Sequence, residues 1–275
     1  MTVKKIMHLF YLFFVYATIG WIIEVIFHAV NVGQFVNRGF LAGAYCPIYG
    51  FGMLFVLWFL HPYMDSPWRL FLFSIIITTL IELVGGFLLE FFFHNRWWDY
   101  SDVPFNFKGY ICVRFSLYWG FAALIAVKFV HPVVEKFYDV LPHFVMYPLL
   151  SVLFCVIIVD SIITNIGVLN MNHELAELHA ISNKIESFSD NFGERIADQV
   201  FRSQEAKKVL NKKFNERMDA FSKKHSRFLK AFPRLESKEH KGFFKQAKEK
   251  LRGAETQKKQ NENSENNGAD EKQSR

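Results

Sequence analysis

Apolar stretches fall at about 6–30, 45–61, 69–93, 111–131 and 143–169, and short segments rich in Gly, Pro, Asn and charge separate them. A helix needs about 20 apolar residues to cross the roughly 30 Å hydrocarbon layer of a bilayer. The pattern therefore predicts five transmembrane helices. The first follows Lys4 and Lys5 as a signal peptide would, but it is too long for a signal core and carries Glu24, so it reads as a retained span. Beyond Asn170 the periodicity changes. Leu178, Ile181, Ile185, Phe188, Phe192 and Ile196 recur at spacings of three and four. After a polar break Leu210, Phe214, Met218, Phe221, His225, Phe228 and Phe232 do the same, until Pro233 stops the helix. From Gly253 onward nothing apolar recurs, and the composition of Gln, Asn, Glu, Lys and Ser predicts disorder. The expected fold is all-α: a polytopic transmembrane helix bundle with a C-terminal amphipathic, partly coiled-coil-like helical tail. Its domains are 1–170 in the membrane, 171–252 as the basic helical tail and 253–275 as the disordered end.

Charge sharpens that division. Residues 1–170 carry 9 Lys/Arg and 9 Asp/Glu, whereas residues 171–275 carry 23 and 17, so the whole net charge of +6 belongs to the tail. Basic residues beside an inner leaflet each add about 1 kcal/mol of attraction to anionic lipid, which makes membrane lipid an expected partner. The loops barely discriminate orientation, but the basic tail favours a cytoplasmic C-terminus of a multi-pass cell-membrane protein. A re-entrant or extra half-span within 39–52 would change the parity and put both termini inside. The tail's interspersed acids and core-spaced Phe argue against nucleic acid as a partner. Three cysteines exclude a disulfide-rich scaffold. Without CxxC or HExxH spacing no metal is expected, and without Ser or Cys paired to His no enzyme and no cofactor.

The carboxylates inside the spans carry the most information. Glu24, Glu82, Glu90 and Asp160 sit in or at the ends of apolar helices, where an ionised side chain costs at least about 2.5 kcal/mol at mid-bilayer. Glu82, Gly85, Gly86, Leu89 and Glu90 share one helical face, which reads as close packing plus a polar site. Two readings stand. The acids form structural ion pairs with Arg38, Arg96 or Arg114, or they line a polar pathway with Arg38, Asp99 and Asn106. Four glycines and Pro47 lie within fourteen residues after Arg38, so the first connection enters the next span as irregular backbone. Cys46 and Cys112, each following a motif loop, are separate buried thiols, a thiol pair or a disulfide.

Several unusual strings recur in one order. They are Gly20-Trp21 with Glu24, Asn37-Arg38-Gly39-Phe40-Leu41 with Cys46-Pro47-Ile48-Tyr49-Gly50, Glu82 with Gly86 and Glu90, and Trp98-Asp99-Tyr100-Ser101 with Pro104-Phe105-Asn106, Gly109 and Cys112. Over residues 8–135 the chain resembles the bacterial family called putative ABC-transporter type IV, with Ala44 where the family pattern has proline. The resemblance implies a permease component moving an unidentified solute. The chain contains no GxxxxGK[ST] loop, so on that implication ATP is hydrolysed by a separate ATPase subunit. Five spans are few for a pathway, which implies a homo-oligomer or hetero-complex. The alternative is a non-transporting scaffold whose tail recruits a partner.

Overall fold

The computed structural model describes residues 3–33, 35–190 and 197–273. The chain divides into two compact units, Met1–Val168 and Leu169–Arg275. In the first, α1 (Val3–Val32), α2 (Pro47–Leu60), α3 (Pro67–Phe93), α4 (Val113–Ile125), α5 (His131–Val140) and the first half of α6 (His143–Asp190) follow in chain order.

Four stretches are long and apolar enough to cross a membrane: Val3–Val30, Pro67–Phe93, Val113–Val140 and His143–Ile185. At 1.5 Å per residue the shortest, 27 residues, is about 40 Å long. The side chains they expose are apolar, including Ile22, Ile26 and Phe27 on α1, Ile76, Leu80 and Phe87 on α3, and Val159, Ile163 and Ile166 on α6. Such surfaces belong in lipid. α1 is the most buried of the four. Its Tyr11, Leu12, Phe14 and Ala17 pack with Met53, Val56 and Leu60 of α2, Val134 and Tyr138 of α5, and Leu150 and Ile157 of α6.

The second predicted span departs from a full helix. α2 has 14 residues, or about 21 Å, too short to cross alone. Its N-terminus lies at mid-depth, because the Cys46 N–H donates to the carbonyl of Ala17 at the middle of Val3–Val30. From there Tyr49 lies against Gly20 and Gly50 against Phe13, so α2 runs antiparallel to α1. The second crossing is thus half irregular chain, up to Cys46, and half helix. The fourth predicted span, 111–131, continues to Val140. Pro132 removes a helical N–H, and a five-residue π-turn, Ala126–Val130, joins α4 to α5 without ending the helix.

In the second unit α6 continues to Asp190 and is followed by α7 (Ala197–Lys224), α8 (Ser226–Ala231) and α9 (Phe243–Gln273). Met171, Leu175, Leu178, Met218, Phe221, Phe228, Leu229, Phe243, Phe244 and Ala247 are buried. The apolar stripes thus pack within the unit. Phe188, Phe192 and Ile196 lie outside the residues described at side-chain level. The second stripe is interrupted at His225, whose ring is buried and hydrogen-bonded to Glu174 at 2.9 Å. α9 includes residues 253–273, where the composition predicts disorder.

Candidate functional site

Two connections fold back along the helix that precedes each of them. The first, residues 35–46, returns beside the C-terminal half of α1. Asn37 organises it: its Oδ1 accepts from Trp21 Nε1 at 2.7 Å and from the Gly39 N–H at 3.0 Å, while its Nδ2 donates to the Ala42 carbonyl. The turn is tight at Gly39, where a Cβ would lie 3.2 Å from both Asn37 Oδ1 and the Tyr45 carbonyl. Arg38 Nε donates to Glu24 at 3.3 Å, its Nη1 lies 3.3 Å from His28 Nδ1, and the Tyr49 hydroxyl donates to the other Glu24 oxygen at 2.5 Å.

Asp160, within the apolar part of α6, clamps the tip of this loop. It accepts from the backbone N–H of Ala42 (3.0 Å) and Gly43 (2.9 Å), from the Tyr45 hydroxyl (2.6 Å) and from Thr164 Oγ1 (3.1 Å). Irregular backbone inside a bilayer needs its polar groups satisfied within the protein, and this carboxylate satisfies two of them.

The second connection, residues 94–112, lies against the last turns of α3. Its end is a tight hairpin in which Asn106–Phe107 pairs antiparallel with Ile111–Cys112. Asn106 ties the hairpin, donating to the Ser101 and Val103 carbonyls and accepting from the Gly109 N–H. Asp99 closes its own turn on Ser101 and lies 3.8 Å from Arg96. Gly109 has φ +76°, and a Cβ on it would lie 2.3 Å from Asp99 Oδ1. Asp99 and Asn106, expected as members of a polar path, here shape the loop that covers α3. On that helix Gly86 gives room to the rings of Trp98 and Tyr110, and Gly85 to Ile48 of α2. Trp98 Nε1 donates to the Tyr110 carbonyl.

The three span glutamates differ in their surroundings. Glu24 pairs with Arg38. Glu90 is buried and pairs with Arg96 at 2.7 Å while accepting from the Tyr110 hydroxyl at 2.8 Å. Glu82 has no ion-pair partner among the described residues: its Oε1 accepts from the Tyr100 hydroxyl (3.0 Å) and Trp119 Nε1 (3.3 Å), and its Oε2 is buried without a hydrogen-bond partner. Tyr100 stacks on Phe115 with ring centroids 4.6 Å apart, and Trp119 meets Tyr49 edge-on at 5.7 Å. Arg114 donates to the Tyr118 hydroxyl, not to a carboxylate.

Cys46 and Cys112 are both buried and free, each as the N-cap residue of the helix that follows. Pro47 takes the first position of α2, where its missing N–H costs nothing. The roles of Tyr45, Trp119 and Asp160 were not legible as a set, because their partners are 37 to 118 residues away. A further cluster joins segments with no shared sequence signal: Glu135 lies 3.0 Å from His8 and 3.6 Å from His131, whose Nδ1 is 3.1 Å from the Tyr16 hydroxyl.

The model of the family described as Putative ABC-transporter type IV matches residues 11–165. The chain belongs to that family. The family match covers both folded-back loops and all four span carboxylates, and it ends before the second compact unit begins. Family and apolar helices together mark a transport-related membrane protein. No curated protein and no solved structure matches the chain.

Proposed function

We propose that this chain is the membrane permease component of a transporter whose ATP-hydrolysing subunit is a separate polypeptide. The supporting observation is the broken second crossing, in which unwound chain ends at mid-bilayer on Ala17 and is held there by Asp160. Interrupted spans recur in transporters because free backbone groups and helix ends at mid-depth can meet a solute, while a continuous helix offers none. On this reading the chain performs no covalent chemistry itself. The loop and the Glu24–Arg38 pair border the solute's route, and a second copy or another subunit completes it. With five crossings the basic tail is cytoplasmic and the N-terminus external.

Purification of the full chain from native membranes should recover an ATP-hydrolysing polypeptide. In reconstituted vesicles its hydrolysis should depend on this chain and fall about tenfold with Asp160→Asn, the effect of losing about 1.4 kcal/mol of clamp energy at the working state. Recovery of no ATPase would defeat the permease reading.

A second reading, a scaffold that organises a partner through its tail, is supported by a compact helical unit lying wholly outside the family match. A chain truncated after Asn170 that kept every partner and full cellular function would remove it.

A further inference from the structure

The two folded-back loops share more than a role. Gly20 and Gly86, Glu24 and Glu90, His28 and His94, Gly43 and Gly109, and Cys46 and Cys112 are each 66 positions apart (86 less 20, and so for every pair), and Tyr49 and Phe115 continue the series. The chain has three cysteines and fifteen glycines in 275 residues, so a Cys pair and two Gly pairs at one ungapped offset exceed what composition supplies. The structures correspond as well. In each copy the glycine makes room for aromatic rings of the returning chain, and the glutamate four residues on binds an arginine Nε through Oε2 and a tyrosine hydroxyl. In each copy the cysteine is the buried, extended N-cap of the next helix. The copies run the same way across the membrane, as in transporters built from parallel repeats.

The repeat separates the carboxylates. Glu24 and Glu90 are equivalent, and each is neutralised by an arginine of its own loop. Glu82 has no acidic counterpart: the equivalent residue is Tyr16. It lies where the copies meet, since its partner Trp119 belongs to the second and touches Tyr49 of the first. It is 8% exposed, and its Oε2 is unpartnered. Its own partners are the Tyr100 hydroxyl and Trp119 Nε1, and the titratable groups that act on Tyr100 besides Glu82 are Cys112 on the second loop and Glu24 on α1. None of these carries a positive charge.

We propose that residues 16–55 and 82–121 are two copies of one helix–loop–helix unit, that the Glu–Arg pairs are its structural clasps, and that Glu82 at their junction holds an exchangeable proton. A buried carboxylate without a cation is more stable protonated than ionised, and a protonated Glu82 gives Oε2 a hydrogen to donate. The inference rests on the transport reading and deepens it by naming a carboxyl group within the bundle that takes up and releases a proton.

The test is labelling of the full chain in lipid vesicles with dicyclohexylcarbodiimide, which reacts with protonated buried carboxyl groups, followed by peptide mass spectrometry. Glu82 should be labelled at least tenfold faster than Glu24 or Glu90, and its labelling should slow as the pH is raised. In Arg96→Ala, Glu90 should become reactive, because its clasp is gone. Equal labelling of the three glutamates, labelling of Glu82 that ignores pH, or silence at Glu82 would each overturn the proposal. Labelling does not depend on an ATPase, so a reactive Glu82 with no ATPase recovered keeps the proton site and discards the permease.

Discussion

Removal of the Asp160 carboxylate should release the mid-bilayer loop by a predictable amount. Asp160→Ala leaves the Ala42 and Gly43 N–H groups and the Tyr45 hydroxyl without their acceptor. Each unsatisfied group costs about 1–3 kcal/mol when buried. Lipid offers these groups no replacement acceptor, so even at about 1 kcal/mol each the three together amount to at least about 3 kcal/mol. Cys46 reports the release, because it ends the loop and is buried. With Cys112 and Cys155 replaced by alanine, maleimide reacts with Cys46 only when the loop opens, so its rate scales with the open population. A loss of about 3 kcal/mol corresponds to labelling roughly 100-fold faster. Tyr45→Phe removes one hydrogen bond and should give about tenfold. Asp160→Asn, which keeps an acceptor but loses the charge, should likewise give about tenfold. If Asp160→Ala and Tyr45→Phe both leave the Cys46 rate unchanged, the carboxylate does not hold the loop and the argument from the broken crossing fails.

Arg96→Ala removes the arginine partner of buried Glu90, which keeps the Tyr110 hydroxyl, and should lower stability in detergent by about 3 kcal/mol; adding Glu90→Gln should restore part of it, as a thermal-melting double-mutant cycle would show. Gly20→Val pushes a Cβ to within 2.2 Å of the Tyr49 ring and should cost about 1–3 kcal/mol, whereas Gly167→Ala, with nothing within 4 Å, should be neutral or slightly stabilising in the same melts. In the tail, burial lowers the pKa of His225 despite its Glu174 partner, and burial lowers that of Lys248, which donates to the Pro233 and Leu235 carbonyls, to about 8. In both cases the folded unit binds fewer protons than the unfolded chain, so stability rises with pH. The His225 contribution is complete above its ordinary value of 6.5 and lost as pH falls below it, while Lys248 adds stability between about pH 8 and its ordinary 10.5. Hydrogen exchange over residues 210–250, corrected for intrinsic rates, should follow that rise, and His225→Gln should flatten its acid limb.

Crossings are legible in a sequence because twenty apolar residues in a row leave the chain one place to go, and helix is the form that satisfies its backbone there. The Glu24–Arg38 and Glu90–Arg96 pairs were legible for a related reason: a basic residue shortly after a span end is close to an acid in that span whatever the rest of the fold does. Asp99 and Asn106 show the limit. Their residue types suit a polar path as well as a turn, and only the hydrogen bonds to Ser101, Val103 and Gly109 separate the two.

Sequence by itself therefore determined the apolar crossings, the basic tail and the presence of acids where lipid excludes them, because each follows from local composition and spacing, and its motif strings carried the family resemblance. Tertiary structure decided that the second crossing is half unwound, since the length of α2 matters only against the depth at which Cys46 meets Ala17. It also decided that Glu24 and Glu90 are ion-paired while Glu82 and Asp160 have no ion-pair partner among the described residues. Those last two accept instead from neutral donors up to 118 positions away, and no pattern along the chain records such contacts.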